Sequence, residues 1–371
     1  MAGRDELAAE LGAAAADGAS VRVRGAGTKL SWAGIAALEP EVELSTDGLD
    51  RILEHNAGDL TAVLEAGVPL AEAQRAFSKA GQMLALDPPD GGATVGGVVA
   101  SGDSGPLRSR YGGVRDLVVG MQVALSDGTR AKSGGKVIKN VAGYDLAKLF
   151  AGSFGTLGAI LEVAVRLHPV APATVTAVGR SSDAGAIARA AAELTHASIE
   201  HLGLDVRWET GAGTVLARFG GAAPGPQAEG AARIMGEAGL ERELADEDDG
   251  LWDRQRDGQR ARAGEPDTIV RVSALQTDLP ELLAIAVRHS LPLVGRAPLG
   301  LHWLRIDQPA AVPGVLAELR RAATTVVLDV PPELRGSVDP WGERDEALLT
   351  LMRRVKDGFD PAGACAPGVL V

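Results

Sequence analysis

The stretch VRVRGAGTKLSWAG at residues 21–34 limits the possible folds more sharply than any other feature of the chain. A strand that runs into G-x-G invites a dinucleotide fingerprint, in which a third glycine opens a helix facing a pyrophosphate. Here Leu30 stands where that glycine belongs, and Ser31, Trp32, Ala33 and Gly34 carry no helical apolar period. A Rossmann turn is therefore excluded on context. What remains is a turn in which Gly25 and Gly27 permit positive φ, so that successive N–H groups form an anion-binding nest. An ordinary glycine turn is the alternative. Three more glycine clusters follow, PPDGGATVGGVVASGDSG at 88–105, RYGGVRD at 110–116 and KNVAGYDLAKLFAGSFGTLGAI at 139–160. Any one of them is a turn; four in one domain, several with Ser or Thr, point to one extended ligand.

Composition narrows the chemistry of that ligand's partners. The 371 residues suffice for two or more domains with their own cores, and the formal net charge is −12 with no long Lys/Arg block. Nucleic acid and anionic membrane are poor partners for such a chain. A pyrophosphate bound by it would rest mainly on neutral backbone and hydroxyl donors, which the glycine loops provide. The N-terminal MAGRDELAAELGAAAADG mixes acids into an amphipathic pattern, which predicts a surface helix and not a signal peptide. No apolar run approaches the ~20 residues of a membrane span, so a cytoplasmic protein without direct membrane insertion is expected. Cys365 is the single cysteine, too few thiols for an iron–sulfur cluster, which takes about four.

Along the chain, EVELS at 41–45 and LTAVLEAG at 60–67 read as strands. Pro69 precedes LAEAQRAFSKAG, whose Leu70, Ala73, Phe77 and Ala80 keep helical spacing and whose Gly81 marks the stop. Thr94 to Ala100 is a small-residue segment suited to a short helix. DLVVGMQVALSDGTRAKSG predicts two strands joined at Asp127-Gly128, and GAILEVAVRLHPVAP a final strand closed by prolines near residue 170. Beyond it, TVTAVG, LDVRWE, TVLARF, TIVRVS, LHWLRI and TVVLDV alternate with helical segments, the pattern of two split βαβ units in one larger antiparallel sheet. The acidic run ERELADEDDG at 241–250 is expected to be a solvated loop.

The whole arrangement resembles the PCMH-type FAD-binding fold of the vanillyl-alcohol oxidase class. VRGAGTK is similar to its first pyrophosphate loop, DPPDGGATVGGVVAS to its second segment, and GSFGTLGAI to its late Gly-Thr-Leu-Gly turn. SGPLRSRYGGVRDLVVG and GGKVIKNVAGYDLAKLFAGSFGTLG narrow the resemblance to the FAD-binding subunits of bacterial glycolate oxidase complexes. VKDGFDPAGACAPG resembles that family's closing Lys, Phe-Asp-Pro and Pro-Gly segment. The resemblance implies an α+β protein: an N-terminal α/β FAD domain over 1–170, an antiparallel α+β cap or partner domain over 171–335, and a segment 336–371 returning toward the FAD domain. It assigns Arg24, Gly25, Ala26, Gly27, Thr28, Thr94, Gly96, Gly97 and Ser101 to the FAD phosphates and ribityl chain, with Pro88 beside them. Tyr111, Gly112, Asp116, Gly155, Gly158 and Ile160 would line the flavin and adenosine ends.

Departures from the family carry their own implications. Thr28 stands where flavinylated relatives often have histidine, so a non-covalent FAD is expected. His55, His168, His196, His201, His289 and His302 are scattered, and no metal site is expected. Ala366 and Val369 replace the family's Asn before, and Arg after, Pro-Gly, so the resemblance carries no cofactor role to them.

Other motifs yield less. GDSG at 102–105 copies part of a serine-protease motif without its histidine context, and chance explains it better. Lys139, Tyr144 and Arg110 are candidates for a substrate carboxylate, though a solvated Lys or a capped turn fits equally; Arg115 is similar. The five tryptophans are spread through the chain and read as packing anchors. The implied function is that of an FAD-dependent oxidoreductase subunit in a glycolate oxidase complex. A small 2-hydroxy acid would be its substrate, with a second FAD-type subunit and an iron–sulfur subunit as partners. Any membrane association would come through that complex. Two alternatives stand beside it: a free-standing 2-hydroxy acid oxidase or dehydrogenase, and an FAD-holding accessory subunit without substrate chemistry of its own.

Overall fold

A computed structural model describes residues 3–32, 34–35, 39–89, 92–136, 144–246 and 249–370, so that Lys139 lies outside the described residues. The chain divides into two units. The first comprises Met1–Ser104, Gly112–Val170 and Glu343–Val371; the second comprises Gly105–Tyr111 and Ala171–Gly342.

The first unit is built around strand runs too apolar to leave exposed. Its elements are α1 (Arg4–Ala16), β1 (Val21–Arg24), β2 (Val42–Ser45), β3 (Ile52–Asn56), β4 (Thr61–Glu65), α2 (Leu70–Ser78), β5 (Gln82–Met83) and α3 (Val95–Ser101). After α4 (Arg108–Tyr111), which belongs to the second unit, come α5 (Val114–Leu117), β6 (Val118–Ala124), β7 (Arg130–Gly134), α6 (Ala147–Phe150), β8 (Ala159–Arg166) and β9 (His168–Pro169). A five-stranded antiparallel sheet runs β3-β4-β8-β6-β7, with β4 buried along its whole length. β1 and β2 form a separate parallel pair, and β5 pairs with β9. The β6–β7 hairpin closes at the expected Asp127-Gly128, where Gly128 has φ +79° and Asp127 Oδ1 accepts the Thr129 N–H. α2 begins after Pro69 and buries Leu70, Ala73 and Phe77. α1 buries Leu7, Ala8 and Leu11 against Val21, Leu44, Leu161 and Cys365.

The second unit holds one eight-stranded sheet. Its elements are β10 (Thr174–Ser181), α7 (Ala184–His196), β11 (Gly203–Glu209), β12 (Ala212–Gly220), α8 (Pro224–Glu237), β13 (Glu241–Ala245) and α9 (Asp249–Asp257). They continue with β14 (Thr268–Ser273), α10 (Leu279–Arg288), β15 (Leu293–Arg296), β16 (Leu301–Ile306), α11 (Val312–Ala322) and β17 (Thr324–Asp329). The last helix, α12 (Glu346–Phe359), returns to the first unit. The order β13-β10-β12-β11-β15-β16-β14-β17 is two copies of a split βαβ unit joined edge to edge where β11 pairs antiparallel with β15. α7, α8, α10 and α11 cover one face through a continuous apolar core. One expectation is corrected here: Glu241–Ala245 is not a loop but an edge strand paired antiparallel with β10. Its side chains are largely exposed, so it lacks the apolar alternation that betrays a strand; backbone pairing alone defines it, and its charges guard the free edge.

Candidate functional site

The β1–β2 connection does what its glycines allow. Gly27 has φ +77°, and Leu30 N–H bonds back to the Gly27 carbonyl, closing a tight turn in place of a helix. The turn packs onto the start of α3: a Cβ at Gly25 would lie 2.2 Å from Thr94 Oγ1. Thr94 caps α3 by accepting the Gly97 N–H at 3.2 Å. Gly96 is needed for a different contact, since a Cβ there would lie 2.6 Å from that of Ala66. From the far side comes the Phe154–Gly158 turn, in which Phe154 holds φ +55° and donates its N–H to the Ala100 carbonyl. Non-glycine residues in such conformations persist where surrounding structure fixes them.

These pieces bound an open cleft of about 840 Å³, solvent at its mouth included. Arg24, Gly25, Ala26, Gly27, Thr28, Thr94, Gly96, Gly97, Ser101, Gly155, Gly158 and Ile160 all line it. The other expected cofactor residues do not. Pro88 is buried outside the lining. Tyr111 ends α4 in the second unit, its phenol pushed up by burial. Gly112 and Asp116 form a turn in which Asp116 Oδ2 accepts the Gly113 N–H at 2.8 Å. Of the substrate candidates, Arg110 pairs with Glu200 at 3.1 Å in the second unit, and Tyr144 is 91 % exposed in the first. Neither lines the cleft. Lys29, Thr46 and Phe154 line it without having been singled out, and so does Ala366, to which the resemblance carried no cofactor role. Lys29 was within reach, as the residue ending VRGAGTK; Ala366 lies in the closing segment 336–371, whose return toward the FAD domain the sequence implies, and tertiary pairing with Val21 brings it to the lining.

The donor inventory fits a dinucleotide phosphate. Among the described residues, no protein acceptor takes the N–H of Ala26, Gly27 or Thr28. Val95, Gly96 and Gly97, by contrast, already give theirs to Val68 O, Ala66 O and Thr94 Oγ1. The turn, not the helix start, therefore offers the backbone donors. Thr94 and Thr28 accept from Gly97 N and Lys29 Nζ, which leaves each hydroxyl proton to donate. Ser101 donates its own to the Gly97 carbonyl at 2.8 Å and has only lone pairs to offer. The charged side chains in the lining are Arg22, Arg24 and Lys29, with no carboxylate among them. Arg24 is held by Glu43 at 2.7 Å, and the hydrogen bond from Arg22 helps keep the Glu43 carboxyl low. Lys29, 8 % exposed, lies 3.4 Å from the buried Asp103 and 5.9 Å from the Trp32 ring. A cationic lining in a chain of net charge −12 suits an anionic ligand. Among the described residues, no three His, Cys, Asp or Glu side chains cluster to hold a metal ion.

Fold and cleft together define a PCMH-type FAD-binding domain. Residues 2–134 match the family described as FAD binding domain, and the match supports FAD as the cofactor. The chain is 42 % identical over 120 residues to glycolate oxidase subunit GlcE of Escherichia coli (strain K12), covering 32 % of this chain and 34 % of that protein. It is 34 % identical over 177 residues to glycolate oxidase subunit GlcD of Bacillus subtilis (strain 168), 47 % of this chain and 37 % of that one. It is 36 % identical over 165 residues to D-lactate dehydrogenase of Archaeoglobus fulgidus, 44 % of this chain and 37 % of that one. The chain thus spans little more than a third of the length of these curated relatives. A solved alkyldihydroxyacetonephosphate synthase shares the fold, with TM-score 0.72 and 15 % identity, covering 99 % of this chain and 76 % of that one.

Proposed function

We propose that this chain is the FAD-holding subunit of an oxidoreductase that converts a small 2-hydroxy acid, glycolate, to its 2-oxo product, glyoxylate. The observation that carries this reading is the cationic cleft with three N–H groups that no described residue accepts, set in a domain whose relatives include glycolate oxidase subunits and D-lactate dehydrogenase. Bound FAD supplies the acceptor for the two electrons and the carbon-bound hydrogen of the acid. The chain's own part is binding and orientation. Ala26, Gly27 and Thr28 present backbone donors to the diphosphate, and Arg22, Arg24 and Lys29 set a positive potential around it. Asp103 holds the Lys29 ammonium, and Phe154 and Ile160 keep one wall apolar and exclude water. With Thr28 in place of a flavinylated histidine, FAD is held non-covalently, so acid precipitation should leave the flavin in the supernatant.

A second reading, an accessory subunit that holds FAD while a partner handles the acid, draws on one observation. Neither Arg110 nor Tyr144, the described candidates for a substrate carboxylate, lines the cleft. Anaerobic mixing of the purified, FAD-loaded chain with glycolate separates the two. Bleaching of the flavin absorbance at a catalytic rate is expected under the first. An unbleached flavin that is reduced once a GlcD-type partner is added sinks it in favour of the second.

A further inference from the structure

We propose that Lys356 and Asp360 form a positioning pair that fixes residues 364–366 as one wall of the FAD cleft. The pair lies at the end of α12, outside the segment that matches the FAD binding domain family. Lys356 Nζ donates to three oxygens at once: the Thr156 carbonyl at 2.9 Å, Asp360 Oδ2 at 2.8 Å and the Cys365 carbonyl at 2.9 Å. An ammonium has three donors, so this set is complete. Asp360 in turn accepts the N–H groups of Ala364 at 3.1 Å and Cys365 at 2.8 Å. The two side chains are 11 % and 0 % exposed, where charge-assisted hydrogen bonds are strong and a lone charge is costly.

The pair's contacts with Thr156 and Cys365 end next to the cleft. Thr156 sits between Gly155 and Gly158, and Cys365 precedes Ala366; all three neighbours are lining residues. On its other side the segment joins β1: Val21 N–H donates to the Ala364 carbonyl, Ala366 N–H donates to the Val21 carbonyl, both at 2.8 Å, and Val21 bridges Cys365 in parallel. β1 then runs directly into the Arg22–Thr28 wall. One buried ammonium therefore ties together the late glycine turn, the C-terminal segment and, through it, the strand that feeds the phosphate loop. Ala366 has φ +40°, a conformation that alanine keeps only where its surroundings hold it. Lys356 itself does not line the cleft; it acts through the segment.

The inference rests on FAD binding alone, so a chain that binds FAD and ignores glycolate leaves it standing. The test uses the full chain with FAD as probe, and the substitution Lys356→Met, which keeps length and removes charge. FAD affinity of the apoprotein should fall roughly tenfold or more, the loss of about one buried charge-assisted contact. Hydrogen exchange should show the Val21 and Ala366 amides losing protection while those of β10–β17 keep theirs. A pair that only stabilises the fold would lower the apoprotein melting temperature and leave FAD affinity as in the parent, and that result overturns the proposal. If Lys356→Met yields no folded protein, the parent chain decides: saturating FAD should slow exchange of the Ala366 amide roughly tenfold or more, and an unchanged rate overturns the proposal.

Discussion

At the scale of single residues, Lys29 is the side chain whose position carries most about the cofactor. It is a buried cation at the mouth of the phosphate turn, hydrogen-bonded to Thr28 and balanced by Asp103. Removing one member of such a pair strands the other, at a cost of about 3–5 kcal/mol in favourable cases. Lys29→Met is therefore expected to weaken both stability and FAD affinity, which by itself says little. The double substitution Lys29→Met/Asp103→Asn separates the two effects. Asparagine leaves no stranded charge, so denaturant stability should return to within about 1 kcal/mol of the parent. The cation facing the cleft is still missing, so FAD affinity should remain roughly tenfold or more below the parent. Recovery of both quantities together would show that Lys29 serves packing only.

At the scale of elements, the second unit contains a group whose titration can be followed. His302 on β16 faces the helix-covered core with Leu304 and Ile306, is fully buried, and neither ring nitrogen has a hydrogen-bond partner among the described residues. Burial, reinforced by the nearby Arg296 charge, depresses its pKa to about 4, against 6.5 when unfolded. Its folded form is neutral throughout that window while the unfolded chain takes up a proton. The sign follows: stability is complete above 6.5 and is lost as pH falls toward 4, by about 1.4 kcal/mol per pH unit. His302→Gln does not titrate, so its stability relative to the parent should improve by that slope between pH 6.5 and pH 4. Urea unfolding followed by tryptophan fluorescence measures it, and a pH-independent difference would refute it. The same sheet shows where sequence patterns suffice. Six of its strands carry alternating or continuous apolar runs, and these were legible, as were α2 with its proline start and the Asp127-Gly128 hairpin. β13 was not, because its exposed charged residues pair by backbone alone. Nor was β15, whose four residues are all buried and too few to show a period. At the cleft, glycines announced the loops and VKDGFDPAGACAPG a closing segment, but that Lys356 pairs with Asp360 and holds the Cys365–Ala366 wall rests on tertiary contacts no local pattern gives. Gly112 and Asp116 lie outside the cleft lining, in a turn closed by Asp116 Oδ2 and the Gly113 N–H.

For the whole molecule, charge and redox chemistry point outward. The protein is acidic overall, its cleft lining is basic, and among the described residues no helix is long and apolar enough to cross a membrane. Electrons taken up at FAD have to leave, either to oxygen or through one-electron carriers. Cys365 is the chain's single cysteine, it is buried, and burial pushes its thiol up to about 12, so it provides neither a cluster ligand nor a reactive thiolate. An iron–sulfur carrier, which takes about four thiolates, is not supplied by the cysteines of this sequence. Two of the relatives are named as subunits of a glycolate oxidase, and the subunit role proposed for this chain is tested at the same scale. The expected outcome is that a tagged chain, co-expressed with its chromosomal neighbours, retains a second flavoprotein and an iron–sulfur protein through affinity purification. The recovered assembly should oxidise glycolate with a quinone or dye acceptor faster than the chain alone. Should the isolated chain turn over glycolate with oxygen at the full rate of the assembly, the electrons have no need of a partner and a free-standing oxidase replaces the subunit.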